Sequence, residues 1–336
     1  MENSILLSIC IPTYNRSKEL LRLLGEIQIE IDQLGTANIV DVIVRDNSEN
    51  NETERKLVVA EFAGKPWLDY KKNASNIGFD NNILNLFCEA KGDYVWLVGD
   101  DDIIFKGSIV KVIDLIKLNP DILHLPFRQP QDLIHPQYQI TPRIKYWTSI
   151  SGAVEQILKY IKITSFVLKK KDILLNKEKL IKLYSETGWM HLVLAFEVLM
   201  NSNQICTITL SEFFGGSHDK EWKIINWTPT AALAAKKLFE HEIFSVFDLR
   251  KQIKKFELDM YLGGISLTLF VTSGIWSTNV PLNEYFDFGA KYPFRVHLFL
   301  KPKICLMYVI IKLKLGHYFN HFIRVYQRAQ LVFIKR

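Results

Sequence analysis

The stretch Asp93-Tyr94-Val95-Trp96-Leu97-Val98-Gly99-Asp100-Asp101-Asp102 decides how this chain is read. A run of apolar and aromatic residues ends abruptly, past one glycine, in three consecutive carboxylates. Such a run reads as a buried strand. Carboxylates at the mouth of a strand repel one another and raise one another's pKa unless a cation lies between them. An acidic turn capping the next helix is the plain alternative, but three carboxylates in a row favour a divalent-metal site. Hard oxygen ligands suit Mg²⁺ or Mn²⁺, ions that commonly hold the phosphates of a bound nucleotide.

Working outward, residues 4–11 (SILLSICI) form a short apolar run closed by Pro12, hence a strand that ends at a loop. Leu20, Leu23, Leu24, Ile27, Ile31 and Leu34 then recur at helical spacing behind Ser17 and stop at Gly35. Residues 39–45 make a second strand, ending in Asp46-Asn47-Ser48. A helix over 52–62, a strand over 68–72 and a helix marked by Ile83, Leu86, Phe87 and Ala90 lead to the opening stretch. Beyond it, Ile109, Val112, Ile113 and Ile116 predict another helix, ended by Asn119-Pro120 and followed by a strand over 121–127.

Strands alternating with helices predict an α/β fold: a Rossmann-like, mostly parallel sheet flanked by helices. Ligands of such sheets sit outside the carboxyl ends of the strands. That rule gathers residues 13–16, Asp46-Asn47 and residues 100–102 on one rim. A dinucleotide-binding domain would need Gly-x-Gly-x-x-Gly after the first strand. Here that turn is Pro12-Thr13-Tyr14-Asn15-Arg16, which contains no glycine, and no P-loop occurs anywhere.

Four motifs now stand in order: residues 8–16 (SICIPTYNR), 44–48 (VRDNS), 76–79 (NIGF) and 96–102 (WLVGDDD). In order and spacing they resemble the family-2 glycosyltransferases of the GT-A fold, over about the first 110 residues. In detail they are similar to bacterial enzymes that build O-antigen or capsule repeats, the abequosyltransferase-like group among them. The resemblance implies that Pro12, Thr13, Tyr14, Asn15, Arg16, Asp46 and Asn47 hold the base and ribose of a nucleotide-sugar, with Asn76 and Gly78 lining the same pocket. It further implies that the Asp cluster binds Mg²⁺ or Mn²⁺ bridging the diphosphate. Family members usually carry Asp-x-Asp at the strand end. Aligned on Ile103-Ile104, the metal ligands are Asp101 and Asp102, leaving Asp100 to the nucleotide-sugar; read literally, they are Asp100 and Asp102.

Residues 161–168 alternate well enough for a strand, and 186–191 (ETGWMH) precede an apolar helix over 192–200. The family places its catalytic base at such a junction, often as an acidic pair. That pair is missing here, which leaves His191 or Glu186 to take the proton of an acceptor hydroxyl. Gly215-Gly216-Ser217-His218-Asp219 is a loop with a potential metal ligand, and related enzymes often supply a third ligand as a His there, so His218 is a candidate.

The chain of 336 residues is 48% apolar, enough for a large core, and carries a net charge of +6. That charge is uneven. Residues 291–336 hold ten Lys or Arg and no Asp or Glu, so the first 290 carry 32 basic against 36 acidic residues. Aromatic and aliphatic residues between those charges suit an anionic membrane surface, and no nucleic-acid motif accompanies them. Residues 260–283 are uncharged but broken by Gly, Ser, Thr, Asn and Pro, so buried helix and loop are expected there, not a membrane span. Four dispersed cysteines and an N-terminus without a signal-peptide pattern point to a cytoplasmic protein, and the basic tail to one peripheral on the inner face of the plasma membrane.

The organisation expected is therefore a catalytic domain over 1–225 and a mainly helical C-terminal region over 226–336 with the basic tail. The expected function is metal-dependent, inverting sugar transfer from a nucleotide-sugar to a polyprenyl-diphosphate-linked saccharide. The rivals are a non-catalytic membrane-surface binding protein on a degenerate transferase fold and a sugar-1-phosphate nucleotidyltransferase. The latter would need a Gly-rich phosphate loop near the first strand.

Overall fold

A computed structural model of the chain describes residues 4–35, 38–49, 58, 60–62, 64–125, 144–171, 173, 175–203, 205–210, 215–217 and 237–253. Strand β1 (Leu7–Thr13) is followed by α1 (Ser17–Leu34), β2 (Val40–Asp46), β3 (Leu68–Lys72) and α2 (Phe79–Glu89). Then come β4 (Tyr94–Leu97), β5 (Asp102–Ile104), α3 (Ser108–Ile116), β6 (Ile122–His124), β7 (Ile144–Trp147) and α4 (Ile150–Lys159). A 3₁₀ turn (Ile163–Ser165) leads into β8 (Phe166–Lys169), followed by α5 (Lys177–Tyr184), α6 (Met190–Met200), β9 (Thr207–Leu210), β10 (Gly215–Ser217) and α7 (Ile243–Val246).

Eight strands form one sheet in the order β3-β2-β1-β4-β8-β6-β9-β7. The first four are parallel, while β8 runs antiparallel to both β4 and β6. The expected α/β architecture is thus present as a mixed, mostly parallel sheet. All seven residues of β1 are buried, as a central parallel strand covered on both faces requires. Leu20, Leu23, Leu24, Ile27 and Ile31 of α1 pack into that core, and Gly35 ends the helix with a left-handed φ of 58°. The far face of α1 carries Arg22, Glu26 and Glu30, one helical turn apart. Their side chains meet Asp102 O, Ile104 N and the free amides at the start of α3.

Two expectations shift. The strand predicted over 161–168 begins only at Phe166, because 163–165 close a 3₁₀ turn whose Thr164 is drawn towards the carboxylate motif. The last apolar helix starts at Met190, since Asp80 accepts hydrogen bonds from Gly188 N (2.7 Å) and Met190 N (3.0 Å) and so caps it from another element. Of the helix expected over 52–62 only Val58 and residues 60–62 are described.

Two compact units divide the chain: residues 1–220 with 237–252, and residues 221–236 with 253–336. Residues 237–252 thus group with the sheet-bearing unit, where His241 Nε2 lies 3.1 Å from Glu197 of α6. The remainder of the expected C-terminal region, its basic tail included, lies outside the described residues. Among the described residues, no helix is long and apolar enough to cross a membrane.

Candidate functional site

With β1 between β2 and β4, the chain leaves β1 to one side and later returns on the other. Such a switch point opens a crevice beyond the strand ends. Thr13, the last residue of β1, spans it by donating its hydroxyl to Asp100 Oδ2 at 2.7 Å. Thr13 O accepts from Asn47 N at 2.9 Å, and Asn15 N donates to Ser48 Oγ at 2.7 Å. Asn15 adopts a left-handed φ of 55°, a conformation asparagine tolerates well. Pro12 is buried within β1, while Tyr14 stands exposed at the loop tip.

The second rim element is equally tied. Asp46 Oδ1 accepts from Ser48 N at 2.7 Å, and its other oxygen accepts from the Tyr70 hydroxyl. Asn47 Nδ2 donates to Gly78 O at 3.2 Å, and Asn47 Oδ1 accepts from Asn73 at 2.6 Å. Gly78 N donates back to Asn76 Oδ1 at 3.0 Å. The Gly78 backbone (φ 81°, ψ 161°) suits glycine alone, so this turn depends on the absence of a Cβ. Thr13, Asn15, Arg16, Asp46, Asn47, Asn76, Gly78 and Asp100 therefore belong to one hydrogen-bonded rim, with Pro12 buried in the strand before it and Tyr14 exposed beside it. Asn73, Asn82 and Tyr70, which knit it together, carried no sequence signal beyond their polarity.

The carboxylates divide into two environments. Arg16 lies 3.2 Å from Asp100 and 3.0 Å from Asp101. Asp102 instead turns to Thr164, whose hydroxyl donates to Asp102 Oδ2. Burial pushes the Asp100 carboxyl up to about 6, although Thr13 and Arg16 oppose this, and pushes Asp102 up to about 7 against the Thr164 hydrogen bond. Among the described residues, no group of three or more His, Cys, Asp and Glu is arranged as a metal cage. The donor set nevertheless fits a hard cation. Asp101 Oδ1 and Asp102 Oδ2 both border Gly99, where a Cβ would meet them at 3.2 and 3.0 Å. A divalent ion there would offset the burial that disfavours the ionised form of Asp102. Strand β10 sets Ser217 opposite Asp102, and His218 follows next in the sequence, outside the described residues.

The two candidate bases differ sharply. His191 is 4% exposed, ringed by Phe166, Phe79 and Trp189, and its Nε2 donates to Ile161 O at 2.8 Å. Burial pulls its pKa down to about 4, so the imidazolium that a working base must become is disfavoured. This setting suits an anchor more than a proton acceptor. Glu186 is exposed at the loop before α6 and holds a left-handed φ of 70°, uncommon for a residue with a side chain. Ser185 reaches Asn81, and Asp80 binds Gly188 and Met190, so this loop is stitched to the start of α2, directly after Gly78.

His124 has the same character as His191: it is buried, its Nε2 donates to Tyr160 O at 2.9 Å, and burial lowers its pKa to about 4. A histidine whose folded pKa is depressed leaves its stabilising effect intact above about 6.5, and that effect is lost as pH falls towards 4. Thermal stability is therefore expected to drop between pH 6.5 and 4, by up to about 3 kcal/mol per histidine. His124→Gln, which keeps an amide donor for Tyr160 O, should flatten this slope in denaturant titrations at several pH values. An unchanged slope would place the acid sensitivity elsewhere.

The sequence profile of "Glycosyl transferase family 2" matches residues 8–175, half of the chain. Abequosyltransferase RfbV of Salmonella typhimurium is 32% identical over 118 residues, 35% of this chain and 34% of that enzyme. The aligned region thus spans about a third of that relative's length. Among solved structures, S. aureus TarS 1–349 superposes with a TM-score of 0.54 at 15% identity, covering 97% of this chain and 92% of that one. Its complex with UDP-GlcNAc gives 0.56 at 16% identity with the same coverage. At such identities these likenesses establish a shared fold. With its GT-A-like sheet, its four rim motifs in order and the family profile over half its length, the chain belongs to the family-2 glycosyltransferases.

Proposed function

We propose that this chain moves a sugar from a nucleotide-sugar donor to a hydroxyl of a saccharide acceptor, as one step in assembling a bacterial surface polysaccharide. The observation that carries this reading is the joining of the Thr13 loop to the Asp100 motif and to Asn47 and Gly78 at one switch point. Asp46, Asn47, Asn76, Gly78 and residues 12–15 would hold base and ribose, and Arg16 would add a cation beside the diphosphate. Asp101 and Asp102, with His218, would hold Mg²⁺ or Mn²⁺, which when bound neutralises charge on the leaving nucleoside diphosphate. Glu186 would take the acceptor's proton as its oxygen attacks the anomeric carbon directly, which inverts that centre. The name of the Salmonella typhimurium relative and the UDP-GlcNAc complex of TarS support the donor class.

A thermal-shift panel of UDP-, GDP-, dTDP- and CDP-sugars, with and without Mn²⁺, tests this reading. One nucleotide class should raise Tm by about 5 °C or more at roughly a hundredfold excess over Kd, and only with the metal. No shift with any of the four, at any metal concentration, would overturn it.

The acceptor in this reading is a polyprenyl-diphosphate-linked saccharide at the cytoplasmic face of the membrane, met through the basic tail. Each Lys or Arg near an anionic surface contributes about 1 kcal/mol, and the attraction weakens as salt rises. Full-length protein should pellet with phosphatidylserine-containing vesicles at low salt. A full-length variant with Lys301, Lys303, Lys312 and Lys314 changed to Gln should pellet less. Equal pelleting with neutral and anionic vesicles would remove the electrostatic account.

A further inference from the structure

We propose that Thr164 is a positioning residue for the carboxylate motif, its hydroxyl holding Asp102 in the conformation that receives the cation; the proposal rests on the reading of Asp101 and Asp102 as metal ligands. Thr164 lies more than 60 residues from the motif in sequence and is fully buried. Its Oγ1 accepts from Gly99 N at 2.9 Å and donates to Asp102 Oδ2. The direction of both bonds follows from proton counting. A backbone N–H can only donate and an ionised, cation-holding carboxylate can only accept, so the hydroxyl takes Gly99 N on a lone pair and gives its single proton to Asp102. The carboxylate is thereby held at the oxygen that borders Gly99, the position beside Asp101 Oδ1.

The support is rigid because Thr164 sits on a strap pinned at almost every residue. Trp96 Nε1 donates to Thr164 O at 3.0 Å, and Leu125 N donates to Ser165 O at 2.8 Å. His191 and His124 donate to the two carbonyls at the head of the strap, Ile161 O and Tyr160 O, and both imidazoles pack on the ring of Phe166. The Asp102 backbone is fixed in parallel: its N–H donates to Gly99 O at 3.1 Å, and Arg22 donates to its carbonyl at 2.9 Å. With backbone and one carboxylate oxygen both held, the side chain gives up its rotamer freedom on folding instead of on binding. His191 then contributes at one remove, through the strap that carries Thr164.

The test titrates purified full-length protein with Mn²⁺, alone and in separate arms with UDP, GDP, dTDP and CDP, reading free Mn²⁺ by its paramagnetic resonance signal. Thr164→Val keeps the shape and removes the hydroxyl. Groups that orient a metal ligand typically contribute about 10–100-fold in affinity, so Thr164→Val should weaken Mn²⁺ binding by at least about tenfold. Thr164→Ser restores the hydroxyl without the methyl and should bind within about threefold of wild type. Wild-type binding with an equally tight Thr164→Val variant would overturn the positioning role alone. A Thr164→Ser variant as weak as Thr164→Val would do the same, since the loss would then follow packing, and this arm decides the matter if Thr164→Val does not fold. Wild type that binds no Mn²⁺ in any arm would overturn both this proposal and the metal reading beneath it.

Discussion

Replacing Asp101 and Asp102 together by asparagine is expected to lower metal-dependent sugar transfer by at least about 10³-fold, because a bound cation is worth several kcal/mol and each 1.36 kcal/mol is tenfold. Asparagine keeps the volume and one oxygen of each side chain but removes the charge that holds the ion. The residual rate should no longer respond to added Mg²⁺ or Mn²⁺. Burial already pushes Asp102 up to about 7 and Asp100 to about 6, so protons compete for these oxygens in the metal-free protein. Mn²⁺ affinity should accordingly fall as pH drops from about 7 to 6 and below, since Asp102 must lose its proton to bind. Asp100→Asn should behave differently. Its carboxylate faces Thr13 and Arg16, so the loss should fall mainly on donor affinity. Full metal-dependent turnover in the Asp101/Asp102 double variant would remove both residues from the site.

Glu186→Gln is expected to lower kcat by about 10²–10⁴-fold while leaving donor Kd unchanged, the effect of removing a general base. His191→Gln is the matched control. Glutamine preserves a donor for Ile161 O but has no basic nitrogen, so kcat should stay within about tenfold of wild type if His191 is an anchor. The reverse pattern, a large loss in His191→Gln and little in Glu186→Gln, would return the base to the histidine. Near-normal kcat in both would mean that neither carries the proton. Donor binding measured alongside separates a lost base from a collapsed pocket, because Asp80 and Ser185 connect this loop to the start of α2.

How far each feature was legible in the amino-acid order depends on the range of the interaction that makes it. The alternation of apolar runs with helical periodicity determined the α/β class, because burial on both faces of a parallel strand demands continuous apolar residues such as those of β1. The same order, with the rule that ligands sit at carboxyl ends of strands, is enough to gather Thr13, Asp46 and Asp100 on one rim. The family was legible too, since its four motifs are local strings. The role of each carboxylate was not. Three adjacent aspartates look alike in sequence, and only their partners, Arg16 for Asp100 and Asp101 but Thr164 for Asp102, tell them apart. Thr164 and Asp80 are single polar residues in unremarkable strings, and each acquires its task from a contact made across 60 or more positions. His191 showed the converse. A histidine at a helix start reads as available, whereas the surrounding Phe166, Phe79 and Trp189 rings exclude water from it and turn its Nε2 to a carbonyl. Local pattern thus determined the fold and which residues meet at the strand ends, while burial and long-range pairing, which only tertiary packing sets, decided the environment of each group in the candidate site.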